Sequence, residues 1–402
     1  MASIEKGTGA FWWASSALFV GGFVTFATLY CTQPLMPVFS EEFGVSPAVA
    51  SLSLSVTTGM LSVSMIVAAA LSDSRGRKVV MVASLLLSAL LALLVAVSPN
   101  FLSLLGLRAL QGVVLAGLPS IAMTYVGEEF GEGSLGLAMG LYVGGTAVGG
   151  MAGRISTGVL TDAYSSQVAL AAIGAVGLLG AAWFAIGLPA SENFRPRPFA
   201  IGKLPRALLR HARDPGLLCV FGVGFLLMGS FVALYNYVGY LLVGPPFDLS
   251  QTAVGFIFAV YVMGTASSAL MGRLSDSFGR RGVILLGVAI MLVSAVLTLS
   301  VNLYVVIAGV ALYTFGFFGA HSVASAWVGE RAGGERAQAS SLYLLFYYAG
   351  SSIVGTAGGL FWDPYGWYGV VFMVSALLLI SLLLMGILSL VVPTQEDNGG
   401  RV

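Results

Sequence analysis

Runs of about 20 apolar residues, each long enough to cross a hydrocarbon core of roughly 30 Å, recur from one end of this chain to the other. Only short charged or Pro/Gly breaks separate them. Of the 402 residues, 58% are apolar and 9% charged, against roughly 45–50% and about 25% in soluble domains. So few charges cannot build a hydrated surface, and a mean hydropathy of +0.95 agrees. The pattern excludes a soluble domain and predicts a polytopic, all-α integral membrane protein. The 53 glycines lie inside the apolar runs, where small residues let helix backbones approach closely. A formal net charge of +1 argues against a nucleic-acid partner. Cys31 and Cys219 lie in separate apolar segments and read as small apolar fillers, not as a disulfide.

Twelve spans are predicted, near residues 14–39, 50–72, 79–98, 101–127, 135–160 and 168–189, then 216–243, 251–272, 282–300, 302–328, 338–361 and 367–392. They imply a head at 1–13, a six-helix bundle at 14–189, a linker at 190–215, a second bundle at 216–392 and a tail at 393–402. The first run is too long, and lacks the small-residue site, for a cleaved signal peptide. All but two of the 18 Lys and Arg fall in the head, the tail or the loops of one side. The positive-inside rule therefore puts both termini in the cytoplasm, with the bacterial inner membrane as the expected location. The exceptions, Arg108 and Arg154, fall within spans.

The chain repeats itself. Leu71-Ser-Asp-Ser-Arg-Gly-Arg77 matches Leu274-Ser-Asp-Ser-Phe-Gly-Arg280, and Val126-Gly-Glu128 matches Val328-Gly-Glu330. Tyr142, Gly149, Gly158 and Asp162 recur as Tyr343, Gly350, Gly359 and Asp363. Two pseudo-symmetric six-helix bundles are the architecture of many secondary transporters, whose substrate site lies between the repeats.

Gly272-Arg-Leu-Ser-Asp276-Ser-Phe-Gly279-Arg280-Arg281 fits G-x-L-x-D-x-x-G-R-R/K in full. The first copy keeps Asp73, Gly76, Arg77 and Lys78, with Ala69 at the leading glycine position and Ser74 where a base is common. Span four reads Arg108-Ala-Leu-Gln111-Gly112, an R-x-x-Q-G motif. On these residues the chain resembles the major facilitator superfamily over essentially its whole length, and within it the twelve-span drug:proton antiporter branch. The glycine-rich fifth span is similar to that of YnfM-like, arabinose-efflux-permease-like bacterial exporters. The antiporter signature expects Gly-Pro in span five, and none occurs between Gly140 and Leu160.

The resemblance implies a gating role for Asp73, Gly76, Arg77, Lys78, Asp276, Gly279, Arg280 and Arg281. A carboxylate there can cap a neighbouring helix and pair with Arg77 or Arg280; a solvated basic loop is the plainer alternative. For Arg108 the resemblance implies proton coupling or substrate contact. A guanidinium in hydrocarbon costs at least about 2.5–3.5 kcal/mol, so it should face protein or water, and Gln111 shares its helix face. The alternative is a structural arginine bonded to backbone carbonyls. Arg154 is expected either to act functionally or to snorkel outward toward Asp162. His321, mid-span, can titrate near neutral pH or serve as a packing residue.

Tyr30 and Gln33 share a helix face before Pro34 and Pro37, which break the helix. Tyr235 and Asn236 hold a similar place before Pro245 and Pro246. These four are candidate substrate contacts, with an interfacial aromatic belt as the competing reading. Gly145, Gly149 and Gly153, spaced by four, and Gly355 and Gly359 form close-packing stripes.

None of the 17 Asp and Glu falls in the middle of a span, although a cation exporter generally needs a buried carboxylate. A neutral to positive cavity follows, favouring anionic, zwitterionic or neutral solutes. The sequence thus predicts a proton-coupled exporter, with a facilitator or solute:proton importer as the alternative. Its expected partners are a small organic solute, protons and lipid, acting as a monomer. No phosphate-cradling loop, metal-ligand cluster or cofactor motif appears, so neither an ATP-driven pump nor an enzyme is expected.

Overall fold

The computed structural model describes residues 3–195, 213–332 and 336–391. Most of the predicted linker, with Lys203 and His211, and the tail lie outside the described residues. Among the described residues the chain is almost wholly helical, and nine helices are long and apolar enough to cross a membrane. The chain divides into two compact units. The first takes in Met1–Gly44, Leu52–Ile201 and Ser250–Phe258, the second Val45–Ser51, Gly202–Leu249 and Ala259–Val402.

In the first unit α1 (Gly9–Tyr30) starts where the Thr8 hydroxyl accepts the Phe11 N–H at 3.1 Å. Helical structure thus begins inside the expected head. The predicted first span breaks at residues 31–35, and α2 (Met36–Phe43) resumes with Pro37 in its first turn, as the two prolines require. After α3 (Pro47–Arg75) comes a single glycine and then α4 (Arg77–Ala96). Span four is not one helix. It divides into α5 (Phe101–Leu115) and α6 (Ala122–Glu129), with turns over 116–121. Pro119, which has no N–H to continue the ladder, lies in that break. The unit continues with α7 (Glu132–Ala163) and α8 (Ser166–Gly187).

Beyond the linker, α9 (Pro215–Val243) is capped by Asp214, which accepts from Gly216 N and Leu217 N. Then follow α10 (Gln251–Ile257), a 3-10 turn over Phe258–Tyr261, α11 (Val262–Leu297), α12 (Leu303–Arg331) and α13 (Arg336–Val391). Predicted breaks after spans eight and eleven appear as single glycines inside α11 and α13: Gly279 at φ 72°, ψ 154°, and Gly366 at φ 57°, ψ −143°.

Glycine sets the helix approach. A Cβ on Gly145, Gly149 or Gly153 of α7 would come within 2.2 Å of the Phe19 carbonyl oxygen, 2.1 Å of the Phe23 carbonyl oxygen and 2.6 Å of the Ala27 Cα of α1. The two backbones therefore touch along a ladder spaced by four residues. The second unit repeats one rung: a Cβ on Gly350 would meet the Phe225 carbonyl oxygen at 2.1 Å. Its other rungs differ, since Phe346 stacks on Phe221 at 5.6 Å where the first unit has Gly145 on Phe19. Gly359 packs on Ala48, and Gly355 gives its carbonyl to Asn236.

The head is tied down. Ile4 N–H donates to the Glu129 carbonyl at 2.8 Å, Gly131 N–H donates to the Ile4 carbonyl, and Lys6 N–H donates to the Ser134 hydroxyl. This strap across the α6–α7 connection was not legible in the sequence. Cys31 and Cys219 are free, buried thiols.

Candidate functional site

The centre of the first unit is built on Arg108, which α5 places where it is 1% exposed. A guanidinium has five N–H donors, and here they meet five acceptors. Nε donates to the Ser53 carbonyl at 2.8 Å; Nη1 donates to the Thr28 carbonyl and to Gln111 Oε1 at 3.0 and 2.5 Å. Nη2 donates to the Leu29 carbonyl at 2.7 Å and the Thr32 hydroxyl at 3.3 Å. Thr28 and Leu29 belong to the last turn of α1, where carbonyls lack helical partners and a cation is favoured. Gln111 also donates to the Ser88 carbonyl of α4 at 2.9 Å. The R-x-x-Q spacing thus puts an arginine and its own acceptor on one face, and together they tie α1, α3 and α4 to α5.

Arg154, 2% exposed, grips the same α1–α2 break from α7. Its Nε donates to Gln33 Oε1 and its Nη1 to the Gly150 carbonyl, each at 2.7 Å. The guanidinium lies 4.0 Å from the Tyr30 ring centroid and 4.9 Å from that of Phe258, a cation–π arrangement. Tyr30, Gln33 and Arg154, predicted separately, therefore form one cluster. Asp162, the expected goal of a snorkelling Arg154, receives the backbone N–H groups of Gln251 and Thr252 at 3.1 and 2.6 Å.

The second unit carries an aromatic column in place of cations. Tyr235 shares a 2.5 Å hydrogen bond with Thr314 and packs on Phe231 at 4.8 Å. Phe231 stacks on Phe317 at 3.9 Å, Phe317 lies parallel to His321 at 5.7 Å, and His321 meets Tyr347 at 4.5 Å. His321 Nδ1 is 2.9 Å from the Tyr343 hydroxyl. Asn236 donates to the Gly355 carbonyl at 3.2 Å. Tyr343 was read in the sequence only as the repeat counterpart of Tyr142, and Phe231 and Phe317 were not singled out. Their apolar surroundings gave no signal beyond helical spacing.

At the end of each unit lies the duplicated loop. Arg77 pairs with Asp73 at 2.5 Å and donates two parallel bonds to Glu128, at 3.0 and 2.8 Å. Such a forked pairing is the strong form of the guanidinium–carboxylate contact. Arg280 pairs with Glu330 in the second copy. Gly76 and Gly279 share a positive-φ turn, at 98° and 72°, which an L side chain rarely adopts. Lys78 and Arg281 are half-buried and Asp276 is exposed. Glu128 and Glu330 were the missed members, although both recur at the repeat offset.

A further pair holds α12 to the start of α9. Arg331 Nη2 lies 3.1 Å from Asp214 Oδ1, and Gly216 leaves room for the guanidinium. Burial works to raise the Asp214 carboxyl. The Arg331 hydrogen bond and the N–H groups of Leu217 and Gly216 outweigh it and hold the group below the ordinary carboxylate value.

The family profile described as Major Facilitator Superfamily matches residues 18–245 and again 226–401. The MFS-type transporter YybF of Bacillus subtilis (strain 168) is 50% identical over 402 residues, covering 100% of both chains. The inner membrane transport protein YnfM of Escherichia coli (strain K12) is 45% identical over 380 residues, 94% of this chain and 91% of that one. A crystal structure of a bacterial homolog to the human lysosomal transporter Spinster superposes with a TM-score of 0.78 at 14% identity, covering 98% of this chain and 100% of the other. The duplicated loop, the repeated glycine rung and these matches agree: the chain belongs to the Major Facilitator Superfamily and is a multi-pass membrane transporter, not an enzyme.

Proposed function

We propose that this transporter works by alternating access, exporting a small organic solute in exchange for protons, and that the solute is anionic, zwitterionic or neutral. The observation that carries the solute class is the charge of the spanning region. Arg108 and Arg154 are buried there, with amide, hydroxyl, backbone-carbonyl and aromatic partners, while no Asp or Glu falls mid-span. Two buried positive charges with no carboxylate in the spans disfavour a cation there and favour an anion. The R-x-x-Q-G motif supports antiport. The missing Gly-Pro in span five favours a second reading, a facilitator or solute:proton importer on the same fold.

Twelve crossings, cytoplasmic termini, the bacterial inner membrane and a monomeric state complete the proposal. Lys and Arg on one side support the orientation, and the turns at Gly279 and Gly366 supply the divisions that twelve crossings need. The gating role of the duplicated loop rests on the Arg77–Glu128 and Arg280–Glu330 pairs, which a conformational change can break and remake. Everted vesicles loaded with a pH-sensitive dye test the direction. Under an imposed proton gradient, an organic acid that is a substrate should release protons from the vesicle interior. Uptake driven by the solute's own gradient, with no proton movement, would select the facilitator.

A further inference from the structure

Burial dictates how Tyr343 bonds. The residue is 1% exposed, and α13 lays its ring over Gly224 of α9, where a Cβ would come within 2.5 Å. A buried phenol that does not donate its proton loses a hydrogen bond it had in water. Among the described residues, the Tyr343 hydroxyl makes one hydrogen bond, to His321 Nδ1 at 2.9 Å. If Nδ1–H donated, the phenol proton would be left buried with no acceptor. Donation therefore runs from Tyr343 to Nδ1, and the neutral imidazole carries its proton on Nε2.

That proton has no acceptor among the described residues. His321 is half-buried. The ring lies parallel to Phe317, at 3° and 5.7 Å, and 4.5 Å from the half-buried Tyr347. The shared scaffold does not require this pair. By the repeat offset, His321 corresponds to Pro119 in the first half, while Tyr343 corresponds to Tyr142.

We propose that His321 is a neutral, tautomer-locked hydrogen-bond donor. With the ring of half-buried Tyr347 beside it, and with buried Phe317 fixing the imidazole plane from within, it forms a subsite for a planar solute carrying a carbonyl or carboxylate acceptor. Tyr343 is the positioning residue. The proposal rests on the transport reading above and narrows its solute class; it also removes His321 from the proton path. Stacking on one aromatic ring and a fixed N–H donor select a flat, acceptor-bearing molecule over a puckered or cationic one.

The chain has two histidines, so 15N-histidine labelling of the full-length protein in nanodiscs resolves them, with a His211→Gln variant identifying His321. At neutral pH the expected spectrum has a pyridine-type Nδ1 and a pyrrole-type Nε2, and Tyr343→Phe should mix the tautomers. An imidazolium spectrum, or the Nδ1–H tautomer, would overturn the proposal. Benzoate and benzamide serve as probes, and at least one should move the Nε2 resonance; if neither does, the subsite is refuted. A glutamine amide nitrogen overlays Nε2. His321→Gln should therefore hold the probe nearly as well as the parent, while His321→Asn should weaken it about tenfold, the worth of one hydrogen bond. Equal loss in both variants counts against the donor assignment. Proteoliposomes that move solute with no proton movement while the spectrum stays neutral would sink the proton-exchange reading and leave this one standing. An imidazolium in a protein that exchanges solute for protons would do the reverse.

Discussion

A guanidinium inside an apolar bundle is tolerated when its N–H groups are all met, and Arg108 reaches that condition without a carboxylate partner. Its five acceptors come from α1, the turn after it, α3 and its own helix, so removal strands buried carbonyls at about 1–3 kcal/mol each. Arg108→Ala should therefore lower the unfolding temperature of the detergent-solubilised protein by several degrees. Arg108→Lys, with three donors on a flexible stem, should recover part of it; an unchanged melting curve in Arg108→Ala would show that the bonds are dispensable. Arg154 is built differently, with an amide, a backbone carbonyl and two ring faces among its partners. Asp214 adds a pH dependence. Because its folded carboxyl is held below the ordinary value, its contribution is complete above the unfolded pKa and fades as pH falls through the folded one. Parent and Asp214→Asn should differ in thermal stability at neutral pH and converge in acid; a gap that persists in acid would contradict the assignment.

Between α1 and α7 the approach is set by the absence of side chains. Gly149→Leu should block transport in proteoliposomes, since even its Cβ would overlap the Phe23 carbonyl. Gly144→Leu on the same helix is the control, because nothing lies within 4 Å of a Cβ there; equal activity in the two variants would refute the close-contact account. Those glycines were legible in the sequence through their spacing of four. So was the α1–α2 break, from Pro34 and Pro37, and so was the Arg108–Gln111 pair, whose members are one helical turn apart. The Arg154–Gln33 bond was not legible. Its ends lie 121 residues apart, and no local pattern reports which helices meet. Span four read as continuous because its apolar run outweighed a single Pro119. The breaks after spans eight and eleven were legible, and the structure narrows each to a single-glycine turn, at Gly279 and Gly366, inside one long helix.

Duplication is the organising fact of the whole molecule, and the structure extends it from residues to contacts. Gly149 on Phe23 recurs as Gly350 on Phe225, the Arg77–Glu128 pair as Arg280–Glu330, and the positive-φ Gly76 as Gly279. The halves have diverged in chemistry: buried arginines mark the first and a histidine–tyrosine aromatic column the second. Fold and family were readable from hydropathy, repeat and loop motif, because each is written many times along the chain. The solute class is written in a few side chains and in the absence of mid-span acids, so it needs a direct test. The decisive measurement is a thermal-shift screen of the purified protein against organic acids, zwitterions, sugars and lipophilic cations, run in parallel on Arg154→Gln. The account predicts stabilisation by acids or zwitterions that diminishes in the variant. Strong stabilisation by lipophilic cations, unchanged in the variant, would contradict it.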